Sequence, residues 1–259
     1  MSFLSKCRST AGGDHCSLFT RALSTPALAT LAVALSLSLA ACSDNGQGEV
    51  KDLKDQVQTA YGKKDFRKGL ELSEKAFALA RKSMGDKASD TLYFAQAISE
   101  NNLGLRNYRA AIPALKQELS MRAAASQNEK KLQPRRTLLI KLAEENGDTL
   151  TAADQAVAVA HGISMTEGKD PQPVYQAPTN YPPDQYRQKI EGDVQVAYGL
   201  DAGGKVTGAR VVKSTPPQVF DEAALESFRK WRFTPMLDSK QEPTSASGFT
   251  FTIAFRMGK

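Results

Sequence analysis

Glu191-Gly192-Asp193-Val194-Gln195-Val196-Ala197-Tyr198-Gly199-Leu200, then Asp201-Ala202-Gly203-Gly204 and the run from Lys205 to Ser214, is the stretch on which the fold turns. From Asp193 onward, Val194, Val196, Tyr198 and Leu200 share one face and Asp193, Gln195, Ala197 and Gly199 the other, the period of a half-buried strand. The Asp-Ala-Gly-Gly segment is turn chemistry, because glycine tolerates the positive φ of a tight hairpin. The return strand alternates less well. Val206 and Val212 fall on one face and Ala209 and Val211 on the other, which predicts a bulge or burial on both faces. Pro216 and Pro217 end it. From Gln218 to Arg229 the period changes: Phe220, Ala224, Phe228 and Trp231 step by four, four and three, one face of a helix. After Gly248, Phe249, Phe251, Ile253, Phe255 and Met257 alternate with Thr250, Thr252, Ala254 and Arg256, the clearest strand in the chain. An antiparallel three-stranded sheet with one main helix on one face is an α+β unit.

Tyr181-Pro182, Glu191-Gly192-Asp193-Val194-Gln195-Val196, Asp201 with Gly204-Lys205-Val206, Phe220-Asp221-Glu222-Ala223-Ala224 and Trp231-Arg232-Phe233-Thr234-Pro235 together resemble the TonB C-terminal domain family, over residues 181–259. Ser214-Thr215-Pro216-Pro217 departs from the family's usual Ser-Ser-Gly and bears on the strand-to-helix loop. The resemblance implies that the last strand lies at a sheet edge. There it receives an extended segment of an outer-membrane transporter as a further strand, through unpaired backbone groups. The implied partner-strand residues are Phe249, Thr250, Phe251, Thr252, Ile253, Ala254, Phe255 and Arg256, with Thr250, Thr252, Ala254 and Arg256 facing outward and the aromatic set facing the helix. The alternatives are a plain sheet edge, or a homodimer formed through the last strand.

At the other end, Arg21 precedes an apolar run from Pro26 to Ala41, shorter than the ~20 residues of a membrane-spanning helix. Leu39-Ala40-Ala41-Cys42 resembles a bacterial lipobox, which implies a signal peptide over residues 1–41, cleavage before Cys42 and lipidation of its sulfur. The alternative is an ordinary secretory signal. By the same resemblance, Ser43 rather than Asp after the cysteine implies the outer membrane, and the expected location is the periplasmic side of the envelope, lipid-anchored. Loss of residues 1–41 leaves a net charge of +4, compatible with anionic lipid or cell-wall polymer without demanding either. Export argues against a nucleic-acid partner. At 41% hydrophobic and 24% charged the chain is ordinary globular material, and no cysteine follows Cys42, so the mature body has neither disulfide nor thiol catalyst.

Residues 42–50 are polar and are expected to form a flexible tether. Residues 51–162 are rich in Ala, Leu, Lys and Glu and read as helical. Gly62-Lys63-Lys64-Asp65-Phe66 recurs as Gly104-Leu105-Arg106-Asn107-Tyr108, 42 residues on, and a further step reaches Leu150 in Asn146-Gly147-Asp148-Thr149-Leu150. This resembles a tetratricopeptide repeat, with two repeats and a degenerate third; a generic helical bundle is the alternative. Lys130, Lys131, Arg135 and Arg136 read as a solvated loop and helix start, or as an anion-binding patch. Residues 163–180 hold Pro171, Pro173 and Pro178 and read as an extended, semi-rigid linker between this region and a domain over 181–259.

No catalytic set emerges. His161 is the one histidine after residue 41, which excludes the usual zinc arrangements, and no cofactor or metal is expected. Asp221-Glu222 suits a helix start, and Trp231 and Phe233 suit a core. The reading is a non-enzymatic adaptor: its last domain grips an envelope-protein segment while the repeats bind a second partner. The alternatives are an energy transducer coupled to the inner-membrane proton motor, and a cell-envelope scaffold.

Overall fold

The computed structural model describes residues 30–163 and 169–257, with side chains from residue 46. The expected signal peptide therefore lies outside the described residues as far as residue 29. The chain divides into Met1–Asp44 and a compact unit, Asn45–Lys259.

Three antiparallel helix pairs come first: α1 (Thr30–Gly62) with α2 (Phe66–Met84), α3 (Ser89–Gly104) with α4 (Tyr108–Ala124), and α5 (Glu129–Glu145) with α6 (Thr149–Gly162). Residues 42–50, expected to be a tether, are instead helical within α1. At the end of that stretch Val50 is buried with Leu53 and Val57 against Leu72, Ala76, Ala80, Phe94 and Ala97 of α2 and α3, whereas residues 47–49 are exposed.

The turns inside the three pairs share one conformation. Lys64, Arg106 and Gly147 take φ of 57°, 56° and 76°, and the next residue caps the following helix. Asp65, Asn107 and Asp148 accept from the backbone N–H of Lys68, Ala110 and Thr151. The third cap comes 41 residues after the second, not 42. The register step onto Leu150 is thus one residue long, and Leu150 is 79% exposed. Of the turn glycines in the first two pairs, Gly104 is tied to packing, whereas Gly62 has open space around it. The Phe66 ring lies over Gly104, where an added Cβ would sit 2.5 Å from it.

The Asp148 carboxyl is held below the usual carboxylate range, first by its side-chain hydrogen bond to Thr151, then by the backbone bond, with Lys116 adding a smaller attraction. A depressed folded value means that the cap's contribution is present above the unfolded carboxylate range and is lost as pH falls through the folded value. Asp148→Ala is expected to cost α6 about 1 kcal/mol at neutral pH. It should also remove part of the acid sensitivity of the α6 amides, measured by NMR from pH 7 to pH 3. An unchanged pH profile would show that the cap carries no linkage.

Arg135 and Arg136 are not solvated. Glu118 is fully buried between α3, α4 and α5, and it accepts from Ser99, from Arg122 at 3.0 Å and from Arg135. Arg136 bridges Glu129 and Gln155. Buried charges need partners, and the helices supply them from positions far apart in sequence.

The Pro-rich segment does not behave as a free spacer. β1 (Pro173–Tyr175) pairs antiparallel with β4 (Arg232–Phe233). Val174 is buried among Ile140, Ala143, Ala152, Ala156 and Val159 of α5 and α6, while Ala177 joins the core of the following sheet. A spacer rich in proline is already extended, so little further ordering is needed to dock it as a strand.

After a short helix α7 (Pro183–Arg187) come β2 (Gly192–Leu200), β3 (Val206–Thr215), α8 (Asp221–Phe228), β4, the small pair β5 (Met236–Leu237) and β6 (Pro243–Thr244), and β7 (Ala246–Phe255). The main sheet has order β3-β2-β7 and is antiparallel throughout. The whole is α+β. Val194, Val196, Tyr198 and Leu200 point into the core, as do Phe220, Ala224, Phe228 and Trp231 from the α8 face. The uneven alternation of β3 has its cause in two irregularities of register against β2. They carry the strand from Val206 to Ala209 and Val211 without leaving the core side, and Val212 is turned outward.

Candidate functional site

β7 is an outer strand of the three-stranded sheet, hydrogen-bonded to β2. Phe249, Thr250, Phe251, Thr252, Ile253, Ala254 and Phe255 lie in it, and Arg256 follows its last residue. Thr250, Thr252, Ala254 and Arg256 are exposed. Ile253 and Phe255 are buried, and Phe249 and Phe251 are half-buried against the core. Alternation along the strand therefore divides a polar outer row from an apolar inner row.

The inner row rests on aromatic rings. Phe251 lies 5.3 Å from Trp231, 5.9 Å from Phe228 and 6.0 Å from Phe233. Phe255 stacks on Phe220 at 4.3 Å, with Tyr181 edge-on at 5.7 Å. Tyr198, opposite Phe249, is surrounded by Phe228, Phe233 and Phe249, and burial pushes its phenol up to about 12, with a smaller contribution from Asp170. It is neutral over the ordinary pH range and acts as a packing ring. At the far end Arg256 donates to Gly192 O and to Asp193, each at 2.6 Å, and Met257 N donates to Glu191 at 2.8 Å, which ties the strand end to β2.

Residues 177–257 match the family model for the Gram-negative bacterial TonB protein C-terminal. This segment is a TonB C-terminal domain. Among curated proteins, Protein TonB of Yersinia enterocolitica is 31% identical over 97 residues, covering 38% of this chain and 34% of that one. Protein TonB of Xanthomonas campestris pv. campestris is 39% identical over 56 residues, 22% of this chain and 25% of that one. The chain thus spans about a third or less of the length of these two relatives. The solution NMR structure of the Pseudomonas aeruginosa TonB CTD aligns with 36% of this chain and 94% of its own, at 26% identity and a TM-score of 0.31.

The TonB domain is fastened to the helical repeats at a junction that sequence reasoning missed. Arg232 Nε donates to Glu144 at 2.5 Å, and Lys205 Nζ reaches the other carboxylate oxygen at 3.0 Å. The Glu144 and Arg232 side chains are 5% and 3% exposed. Arg232 also donates to Gly203 O at 2.5 Å and to Thr149 O at 3.5 Å. Gln172 N donates to Thr234 Oγ1, Thr234 N to Gln172 O, and Trp231 Nε1 to Ala177 O at 3.1 Å. Met236 and Leu237 share a small core with Ala160 of α6. The one sequence signal was Arg232 inside the Trp-Arg-Phe run. Its partner stands 88 residues away, and no local pattern points to it.

Among the described residues no cluster of His, Cys, Asp or Glu is arranged to hold a metal, and no helix is long and apolar enough to cross a membrane. His161 is exposed in the last turn of α6. Cys42, the expected lipidation site, falls within the backbone of α1 ahead of the described side chains.

Proposed function

We propose that the TonB domain binds an extended segment of an outer-membrane transporter, or of another envelope protein, by adding it as a strand to β7 at Phe249–Arg256, while the tetratricopeptide-like repeats bind a second partner. The chain acts on the periplasmic side of the envelope and is held there by lipid on Cys42. The observation that supports this is the outer position of β7, with its polar and apolar rows on opposite faces. Backbone hydrogen bonds supply affinity at such an edge, and alternate side chains supply selectivity. The binding is non-enzymatic and needs no cofactor.

A photoreactive residue at Thr252, crosslinked in cells and followed by mass spectrometry, tests it. Capture of the N-terminal segment of an outer-membrane transporter is the expected result. Capture of a second copy alone would replace the reading with a homodimer edge, and capture of cell-wall factors alone would leave an envelope scaffold. The relatives named Protein TonB favour a second reading, an energy transducer. Palmitate labelling of Cys42→Ala separates the two: loss of label supports the lipoprotein, and an unchanged label rejects it and favours the transducer.

A further inference from the structure

We propose that Glu144, a residue of the helical repeats, is a positioning residue for the β7 acceptor edge of the TonB domain. The proposal rests on the strand-addition reading and deepens it. Successive side chains of an extended segment point to opposite sides. At Trp231-Arg232-Phe233 this sends the Arg232 guanidinium to Glu144 of α5 and the two flanking rings into the sheet core. Those rings lie beneath Phe251, Trp231 at 5.3 Å and 73°, Phe233 at 6.0 Å and 71°. Phe251 is the middle aromatic of β7 and is only half-buried, so its ring forms part of the ledge against which an added strand sets its side chains. One three-residue segment thus joins a carboxylate of the repeats to the floor of the acceptor strand. Lys205 shares that carboxylate but sits on the β2–β3 hairpin, and its side chain is 30% exposed. It gives a control that touches the same carboxylate without touching the rings.

The experiment is residue-resolved amide hydrogen exchange, with the Trp231 indole NMR signal, on the chain from residue 45 onward, the compact unit that contains every core described above. Glu144→Gln keeps an acceptor for Arg232 and removes the charge. Exchange along residues 249–255 is expected to accelerate by roughly 2- to 30-fold relative to α2 and α3, with a shift of the indole signal. Lys205→Met is expected to leave both as they are. Unchanged exchange along 249–255 in Glu144→Gln, or acceleration equal to that of α2 and α3, would overturn the proposal, the second because it marks general destabilisation. Glu144→Asp, which restores the charge, is expected to return the exchange toward the parent value. These readouts come from the free protein, so failure of capture at Thr252 counts against strand addition alone.

Discussion

Gly204→Ala is expected to remove most of the stability of the TonB domain, on the order of 3–5 kcal/mol, from left-handed strain of about 1–3 kcal/mol and overpacking of similar size. Gly204 has φ +79°, and a Cβ added there would lie 2.0 Å from the Phe233 carbonyl oxygen and 3.0 Å from its carbon. Both are backbone atoms, and neither moves away as a side-chain tip would. The close approach is built in: Phe233 N donates to Gly204 O at 2.9 Å, and Gly204 N donates to Asp201 O at 3.0 Å, closing the β2–β3 hairpin onto β4. Relieving the clash means opening that bond and lifting Phe233 out of a fully buried site. Gly208→Ala is the control. It also has positive φ, 59°, but open space around the added Cβ, so it carries the conformational cost alone, about 1–2 kcal/mol. Urea unfolding followed through Trp231 measures both. A Gly204→Ala midpoint matching that of Gly208→Ala would show that the hairpin does not need this close approach.

What the sequence shows of this fold is what repeats over short distances. The alternation of Val194, Val196, Tyr198 and Leu200, the four-residue steps from Phe220 to Trp231, and the alternating aromatic set from Phe249 to Phe255 each report one face of one element, and each of those faces is buried or half-buried in the sheet core. The turns at Asp65 and Asn107 were legible because a glycine and an aromatic four residues on recur around them 42 residues apart, while the left-handed residue and the cap inside each turn were not. At the third turn the flanking residues changed, and the spacing misled by one. What escaped depends on chain segments meeting. Pro173–Tyr175 has the composition of a spacer, and only the groove beside α5 and α6 and the free side of β4 make it a strand. Arg135 and Arg136 look like surface charge until Glu118 and Glu129 are brought beside them. The candidate edge was legible as a strand, whereas the aromatic bed below it and the carboxylate behind that bed were not.

Glu144→Ala is expected to destabilise the unit by about 3 kcal/mol, at the lower end of the range for breaking a buried ion pair. The loss follows from what remains. Arg232 keeps its charge with a side chain 3% exposed, and it retains only the carbonyls of Gly203 and Thr149 as acceptors. Those two dipoles hold the effect to the lower end. Lys205, 30% exposed, turns toward water at little cost. Removing both charges should be far milder. In Glu144→Leu with Arg232→Met the desolvation penalty disappears along with the attraction, and the pair is replaced by apolar side chains beside Thr149 and Ala153. A double-mutant cycle on urea midpoints separates the pair's interaction from the cost of each truncation. The buried pair should also keep its effect at high salt, because solvent ions screen it little, unlike the exposed pair of Lys230 with Glu226. If Glu144→Ala costs no more than about 0.5 kcal/mol, the range of ordinary surface substitutions, then the repeats and the TonB domain are not locked through Arg232, and the Trp231 and Phe233 rings hold their place by core packing alone.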